Sequence, residues 1–250
     1  METCKPISTP AEPGVKLSSS SVKKPVNSTM FKSLVGSLRY LTFTRPDIMY
    51  AVGLVSRYME YPREDHFQAA KRILRYVKGT INQGLFYTQT EDPRLVGYSD
   101  SDYGGDLDTR KSTSGYLFHI GSAAFSWSSK KQQTIALSTC EAEYIAAASC
   151  TCQAIWLRNI LQDLYHAQVG PTIINVDNKS AIALVKNPVS HNRSKHIDTK
   201  YHFIREQVKE KIVELVYCPT EDQLADIFTK PLKTEVFITL RRKLGMYSRV

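Results

Sequence analysis

The sequence predicts a mixed α/β protein: a mixed sheet flanked by helices, preceded by a smaller helical segment. Three observations predict it. Across residues 28–80 apolar side chains recur at three- and four-residue steps, the spacing of helices with one buried face. Beyond Pro93 that spacing gives way to short runs with the two-residue period of strands, bounded by Gly and polar turns. The order is then three strands, helix, strand, two helices, strand and helix, which places helices against a sheet. With 250 residues, 42% hydrophobic and 10% aromatic, the chain can bury a core as one large or two small domains.

Residues 1–27 are rich in Pro, Ser and Thr without an apolar period and read as a flexible or extended lead-in. A first helix starts near Ser28 and turns Phe31, Leu34, Val35, Leu38 and Leu41 to one side. Pro46 suits the first turn of a second helix, with Ile48, Ala51, Val52, Val55 and Tyr58 inward, and Pro62 breaks it. A third helix, from about Glu64 to Lys78, buries Phe67, Ala70, Ile73, Leu74 and Val77. Its other face carries Lys71, Arg72, Arg75 and Lys78. The helical unit, residues 28–92, closes through the short strand GLFYT.

A second unit spans residues 93–235 and opens with LVGYSDSDYGGD, residues 95–106. Val96, Tyr98 and Asp100 share a strand face, Asp102 follows, and Gly104–Gly105 lets the chain turn away. Gly115–Ile120 and Ala123–Ser128 complete an antiparallel meander through a turn at Gly121–Ser122. A long helix runs from Ser138 to about Tyr165, followed by a strand at Ile173–Val176 and helices at Asn178–Val185 and Asp198–Glu210. Ile212–Cys218 alternates as a strand, Pro219 ends it, and Gln223–Thr229 begins a last helix before a tail at 236–250.

The net charge of +9 is uneven: residues 1–90 carry 13 Lys and Arg against 6 Asp and Glu, and the rest carry 20 against 18. A basic first part beside a nearly neutral second part predicts a polyanionic partner, nucleic acid, with Lys71, Arg72, Arg75 and Lys78 as backbone contacts. Five irregularly spaced cysteines suit a reducing compartment rather than a disulfide framework. No apolar run approaches the roughly 20 residues of a membrane span. METCKPISTP carries no secretory h-region, so an intracellular protein, cytoplasmic or nuclear, is expected.

Four elements of the second unit present an acid beside apolar structure: Asp100 at the end of the first strand, Glu141 and Glu143 in STCEAEYIAAA, Asp177 after IINV, and Asp226 in DQLADIFTK. Each has a structural reading. Ser138 and Glu141 form an S-x-x-E capping box, which leaves Glu143 as the acid aimed at the sheet. Asp177 fits an N-cap, and Asp226 fits the positive end of a helix dipole. Four acids at element ends are harder to explain singly, because strand ends in α/β sheets converge on one edge. Unpaired carboxylates gathered there repel, and a divalent cation removes that cost. An all-oxygen set suits Mg²⁺ or Mn²⁺, and a pair of such ions suits phosphodiester cleavage. His191, His196, His202 and Cys218 have no compact zinc spacing.

The motifs YSDSDYGGDLDTRKSTSGYLF, STCEAEYIAAA, VDNKSAIAL, SKHIDTKYHFIRE and DQLADIFTKPL, in this order, resemble the ribonuclease H domain of copia-type LTR-retrotransposon polyproteins. The upstream FKSLVGSLRYLTFTRPDIMYAVGLVSRYM and HFQAAKRILRYVKGT resemble the thumb and connection part of the same element's reverse transcriptase. The resemblance implies a ribonuclease H-like fold. It also implies that Asp100, Glu143, Asp177 and Asp226 hold two Mg²⁺ ions (Mn²⁺ as substitute) and cut the RNA strand of an RNA–DNA hybrid. The rest of a polyprotein is the original partner, while His196 and His202 in KHIDTKYHF read as structural or substrate-contacting rather than proton-transferring, with Lys195 and His196 as candidate nucleic-acid contacts. Two departures stand out. The loop PTEDQLA lacks the histidine that many cellular ribonucleases H carry there, and no YxDD-type polymerase motif occurs, so no polymerase activity is expected. The alternative reading is a catalytically silent remnant that binds nucleic acid or protein.

Overall fold

The computed structural model describes residues 3–89, 93–186 and 198–248. Helices α1 (Ser28–Leu41), α2 (Met49–Ser56) and α3 (Glu64–Gly79) come first, with a 3₁₀ turn at Pro46–Ile48 leading into α2. Asn27 caps α1 by accepting the Met30 amide, and Arg63 and His66 cap α3. Strand β1 (Gln83–Leu85) follows, then β2 (Leu95–Ser101), β3 (Thr113–Ile120) and β4 (Ala123–Lys131). Helix α4 (Thr139–Asp163), β5 (Thr172–Val176), α5 (Lys179–Lys186), α6 (Asp198–Lys209) and β6 (Val213–Tyr217) complete the central layers. The chain ends in α7 (Thr234–Lys243) and β7 (Met246–Ser248).

The main sheet has the order β4-β3-β2-β5-β6. The predicted meander β2–β3–β4 is antiparallel, while β5 joins β2 and β6 joins β5 in parallel. Gly97 lets this sheet pack: a Cβ there would lie 2.8 Å from the Phe118 ring. Ala142, Ala147 and Ala154 keep α4 close to the strands, in a core with Phe118, Ile174, Ile204 and Leu215. The other core draws Phe31, Ile48, Val52, Ile73 and Tyr76 of the helical segment together with Leu117, Phe228 and Leu240. Of the three helices α2 packs on β4 while α1 and α3 pack on α2, so the segment shares its core with the sheet. Arg57 secures the contact, donating from Nη1 to Asp106 (2.9 Å) and from Nη2 to Thr113 (3.0 Å).

Three segments differ from expectation. Gln223–Thr229 is not an α-helix but a 3₁₀ turn, Leu224–Phe228, because Gln223 turns its side chain back onto the Ala225 amide and Pro231 follows two residues after Thr229. Residues 236–250, expected as a tail, contribute most of α7 and all of β7. Phe237, Leu240 and Leu244 form a helical apolar stripe that is buried, and β7 pairs antiparallel with β1. The lead-in is irregular but held down: Leu17 is buried, and its carbonyl accepts from Tyr58 Oη at 2.9 Å. No helix among the described residues is long and apolar enough to cross a membrane.

A buried polar network ties these parts together. Arg45 forks onto Asp47 (Nε–Oδ1 2.9 Å, Nη2–Oδ2 2.7 Å) and donates to Thr80 Oγ1 at 2.6 Å. Tyr76 donates to Asp47, and Arg241 of α7 donates to Tyr76 Oη at 3.1 Å. Asp47 is the only acid in this group and its side chain is fully buried. Removing it strands a buried guanidinium. Asp47→Ala is expected to lose about 3–5 kcal/mol of unfolding free energy in urea. A loss under about 1 kcal/mol would show that the network does not hold the helices.

Candidate active site

Strand register builds the site. The parallel β2–β5 pairing sets Tyr98 opposite Asn175, and two residues further along both strands lie Asp100 and Asp177. Ser138 accepts the Glu141 amide at the start of α4, and Glu141 Oε2 accepts the Leu137 amide at 3.1 Å, so Glu141 is occupied in capping. Two residues on, Glu143 points at the strand ends. One oxygen each from Asp100, Glu143 and Asp177 lies within 4.8 Å of the other two, the only group of three metal-capable side chains found among the described residues.

Asp226 joins from the opposite side. Its 3₁₀ turn packs on β3 at Gly115, the β-partner of Asp100, where a Cβ would lie 2.7 Å from both Phe228 Cβ and Thr229 Cγ2. Gln223, fully buried, anchors the turn to both acid-bearing strands, donating to Ser99 O (2.9 Å) and Asn175 O (3.5 Å). Ser129 Oγ donates to Phe228 O at 2.6 Å. Thr229 Oγ1 donates to Asp100 Oδ2, and Lys230 Nζ lies 2.9 Å from Asp226 Oδ1 and 3.8 Å from Asp100 Oδ2. Thr220 Oγ1 donates to Asp177 at 3.3 Å. Glu143 Oε1 accepts the Ser101 amide at 3.3 Å, whereas Glu143 Oε2 is buried without a partner.

Burial and mutual repulsion dominate the electrostatics. Glu143 is pushed far above the carboxylate range by burial and by the charges of Asp100 and Asp177. Asp226 is raised by burial and Asp100 against the pull of Lys230, and Asp177 by burial and Asp100. Burial opposes charge on Lys230, but Asp100 and Asp226 outweigh it and raise its pKa. Nearby Asp102 is raised to about 6, mainly by burial.

The four sequence-predicted acids therefore meet, three directly and Asp226 through Asp100 and Lys230. The basic face of α3 is engaged differently. Arg72 pairs with Glu12 (2.8 Å), Arg75 donates to Lys5 O (2.8 Å) and Lys78 to Cys4 O (3.0 Å), so the lead-in lies along this face. Lys71 Nζ sits 4.2 Å from the centroid of the Phe67 ring. Lys195 and His196 lie outside the described residues. Cys150 is buried and Cys152 exposed, and none of the five cysteines forms a disulfide, as their irregular spacing leads one to expect. Gln223, Thr229 and Lys230 also shape the site and carry little sequence signal of it. A lysine four residues after an acid was the one available signal.

An antiparallel meander extended by two parallel strands, with acids gathered at the end of its central strand, is the ribonuclease H-like fold. No protein-family model matches the chain. The Retrovirus-related Pol polyprotein from transposon RE1 of Arabidopsis thaliana is 45% identical over 246 residues, covering 98% of this chain and 17% of that polyprotein. A foamy viral protease-reverse transcriptase dRH, solved in complex with double-stranded DNA, superposes with a TM-score of 0.50 at 12% identity over 82% of this chain and 35% of that one. The ribonuclease LC11-RNase H1, isolated from compost, gives a TM-score of 0.42 at 15% identity over 59% of this chain and 97% of that one. The chain belongs to the copia-type retrotransposon Pol polyproteins, and it spans 17% of the length of the RE1 relative.

The raised carboxyls set a pH dependence. A group whose folded pKa lies above its unfolded value stabilises the fold at low pH, and that stability is lost as pH rises through the folded value. Without divalent ions, Glu143 should therefore cost stability increasingly above about pH 4, the ordinary carboxylate range. The Glu143→Gln variant is expected to exceed wild type at pH 8 in EDTA by at least about 1 kcal/mol, with the gap closing toward pH 4. Thermal unfolding across pH measures this, and a gap that does not grow with pH would contradict the assignment.

Proposed function

We propose that this chain is a metal-dependent endonuclease that cuts the RNA strand of RNA–DNA hybrids. The observation that carries the reading is the convergence of Asp100, Glu143 and Asp177 with Glu143 Oε2 buried and unpaired. A buried oxygen without a partner is costly, and an all-oxygen donor set suits a hard divalent cation. The residues fit the group. Asp100, Glu143 and Asp177 would hold one Mg²⁺ and Asp100 with Asp226 a second, with Mn²⁺ as substitute. Bound there, divalent ions supply water activation and counter-charge for the leaving 3′ oxygen.

The chain's own residues do the positioning. Thr229 fixes the rotamer of Asp100 by donating to Oδ2, and Gln223 holds the Asp226 turn against β2 and β5. The loop before Asp226 carries no histidine, so proton delivery to the leaving oxygen falls to solvent rather than to a loop side chain. Choice of the RNA strand rests on its 2′-hydroxyl, the feature that separates it from DNA. The absence of a YxDD-type motif leaves no polymerase activity in the proposal.

The test is cleavage of a labelled RNA–DNA hybrid by the purified chain with Mg²⁺. Cutting of the RNA strand alone is expected, lost in EDTA. Asp100→Asn and Asp177→Asn should cost more than the roughly 10–100-fold that supporting residues cost at metal sites. Folded wild-type protein that binds hybrid without cutting it would overturn the reading and favour a silent binding module.

Lys71, Arg72, Arg75 and Lys78 are the proposed phosphate contacts, with Arg72, Arg75 and Lys78 exchanging the oxygens of Glu12, Lys5 and Cys4 for phosphate oxygens. Removing any one of these charges should flatten the log–log salt dependence of duplex binding by about 0.9. Arg75→Gln and Lys78→Gln titrated over a salt series check this. An unchanged slope would remove the face from the interface.

A further inference from the structure

The carboxylate cluster is asymmetric. On the Glu143 side, Asp100, Glu143 and Asp177 converge with no lysine or arginine paired to Glu143 or Asp177 among the ion pairs of the described residues, and Glu143 Oε2 is unpartnered. On the Asp226 side, Asp226 Oδ1 is likewise buried without a hydrogen bond, but a cation is already in place beside it: Lys230 Nζ stands 2.9 Å from Asp226 Oδ1 and 3.8 Å from Asp100 Oδ2. Thr229 takes up a lone pair of the same Asp100 oxygen.

We propose that Lys230 is a resident cation on the Asp100–Asp226 side, so that the cluster takes one divalent ion strongly and a second only by displacing the lysine. The proposal rests on the metal-binding reading above and adds an order of occupancy to it. Mg²⁺ needs carboxylate oxygens at about 2.0–2.1 Å, closer than the ammonium approaches, so the two cations cannot share the near side of Asp226 Oδ1. The lysine can leave. Its side chain is 38% exposed on a flexible four-carbon stem, and the following Pro231 fixes the backbone rather than the side chain. Until it leaves, its charge substitutes for the second ion and opposes that ion's entry. Lys230 is thus a positioning residue that sets when the second ion binds.

Isothermal titration of Mn²⁺ alone into the metal-free chain reads this directly, with circular dichroism to establish that each variant is folded. Wild type is expected to bind one ion well and a second far more weakly. Lys230→Met should tighten the second ion by at least about tenfold. Lys230→Arg, which keeps the charge, should behave as wild type. Two ions of equal strength in wild type, or a second ion unmoved by Lys230→Met, would overturn the proposal while leaving the metal reading intact. No Mn²⁺ bound by wild type, or binding that survives Asp100→Asn, would overturn both.

Discussion

The repulsion among four carboxyl groups at the end of β2 is the constraint on which the rest of the structure turns. Like charges gathered at one buried strand edge disfavour ionisation, and Glu143, Asp177 and Asp226 are all shifted in the direction that repulsion and burial dictate. Nothing in the packing demands such a cluster. The site is therefore an unstable arrangement held by its surroundings: by the β2–β5 pairing, by the capped start of α4, and by the Gln223 and Gly115 contacts that press the Asp226 turn onto the sheet. This is the pattern expected where function opposes local stability.

The helical segment is part of that support. Its apolar stripes share a core with Phe228, beside Asp226, and with Leu117 on the sheet face opposite α4. The buried Arg45–Asp47–Tyr76–Arg241 network then joins that segment to α7, and β7 returns to pair with β1. The lead-in runs along α3, where its carbonyls and Glu12 satisfy side chains that would otherwise face solvent or a polyanion. Segments distant in sequence are thus coupled mechanically to the turn that carries the last acid.

Much of this is readable from sequence because it is local. Periodicity locates α1, α3, the meander and α4, and the S-x-x-E cap at Ser138–Glu141 separates Glu141 from Glu143. What is not readable depends on partners far along the chain. The Gln223–Thr229 stretch has a helical pattern, yet Gln223 spends its side chain on Ala225, Ser99 and Asn175, and only the fold supplies the last two. Phe237, Leu240 and Leu244 carry a helical stripe, but its target, a core shared with α3 and the sheet, appears only once the chain is closed. The basic residues of α3 signal a polyanion by charge alone, and charge does not reveal that the chain's own lead-in reaches them first. Lys230 shows in sequence only as a lysine four residues after Asp226, and its reach to Asp100, 130 residues earlier, appears only in the fold.

The central claim is that these carboxylates meet in order to hold divalent ions. Thermal unfolding of the metal-free chain with increasing Mg²⁺, wild type beside Asp177→Asn, tests it most directly, because an ion that binds only the folded state raises the unfolding temperature with the logarithm of its concentration. The structure predicts a rise for wild type that continues with added Mg²⁺ and is largely lost in the variant. A wild-type temperature that Mg²⁺ leaves unmoved, or an equal rise in both proteins, would contradict it.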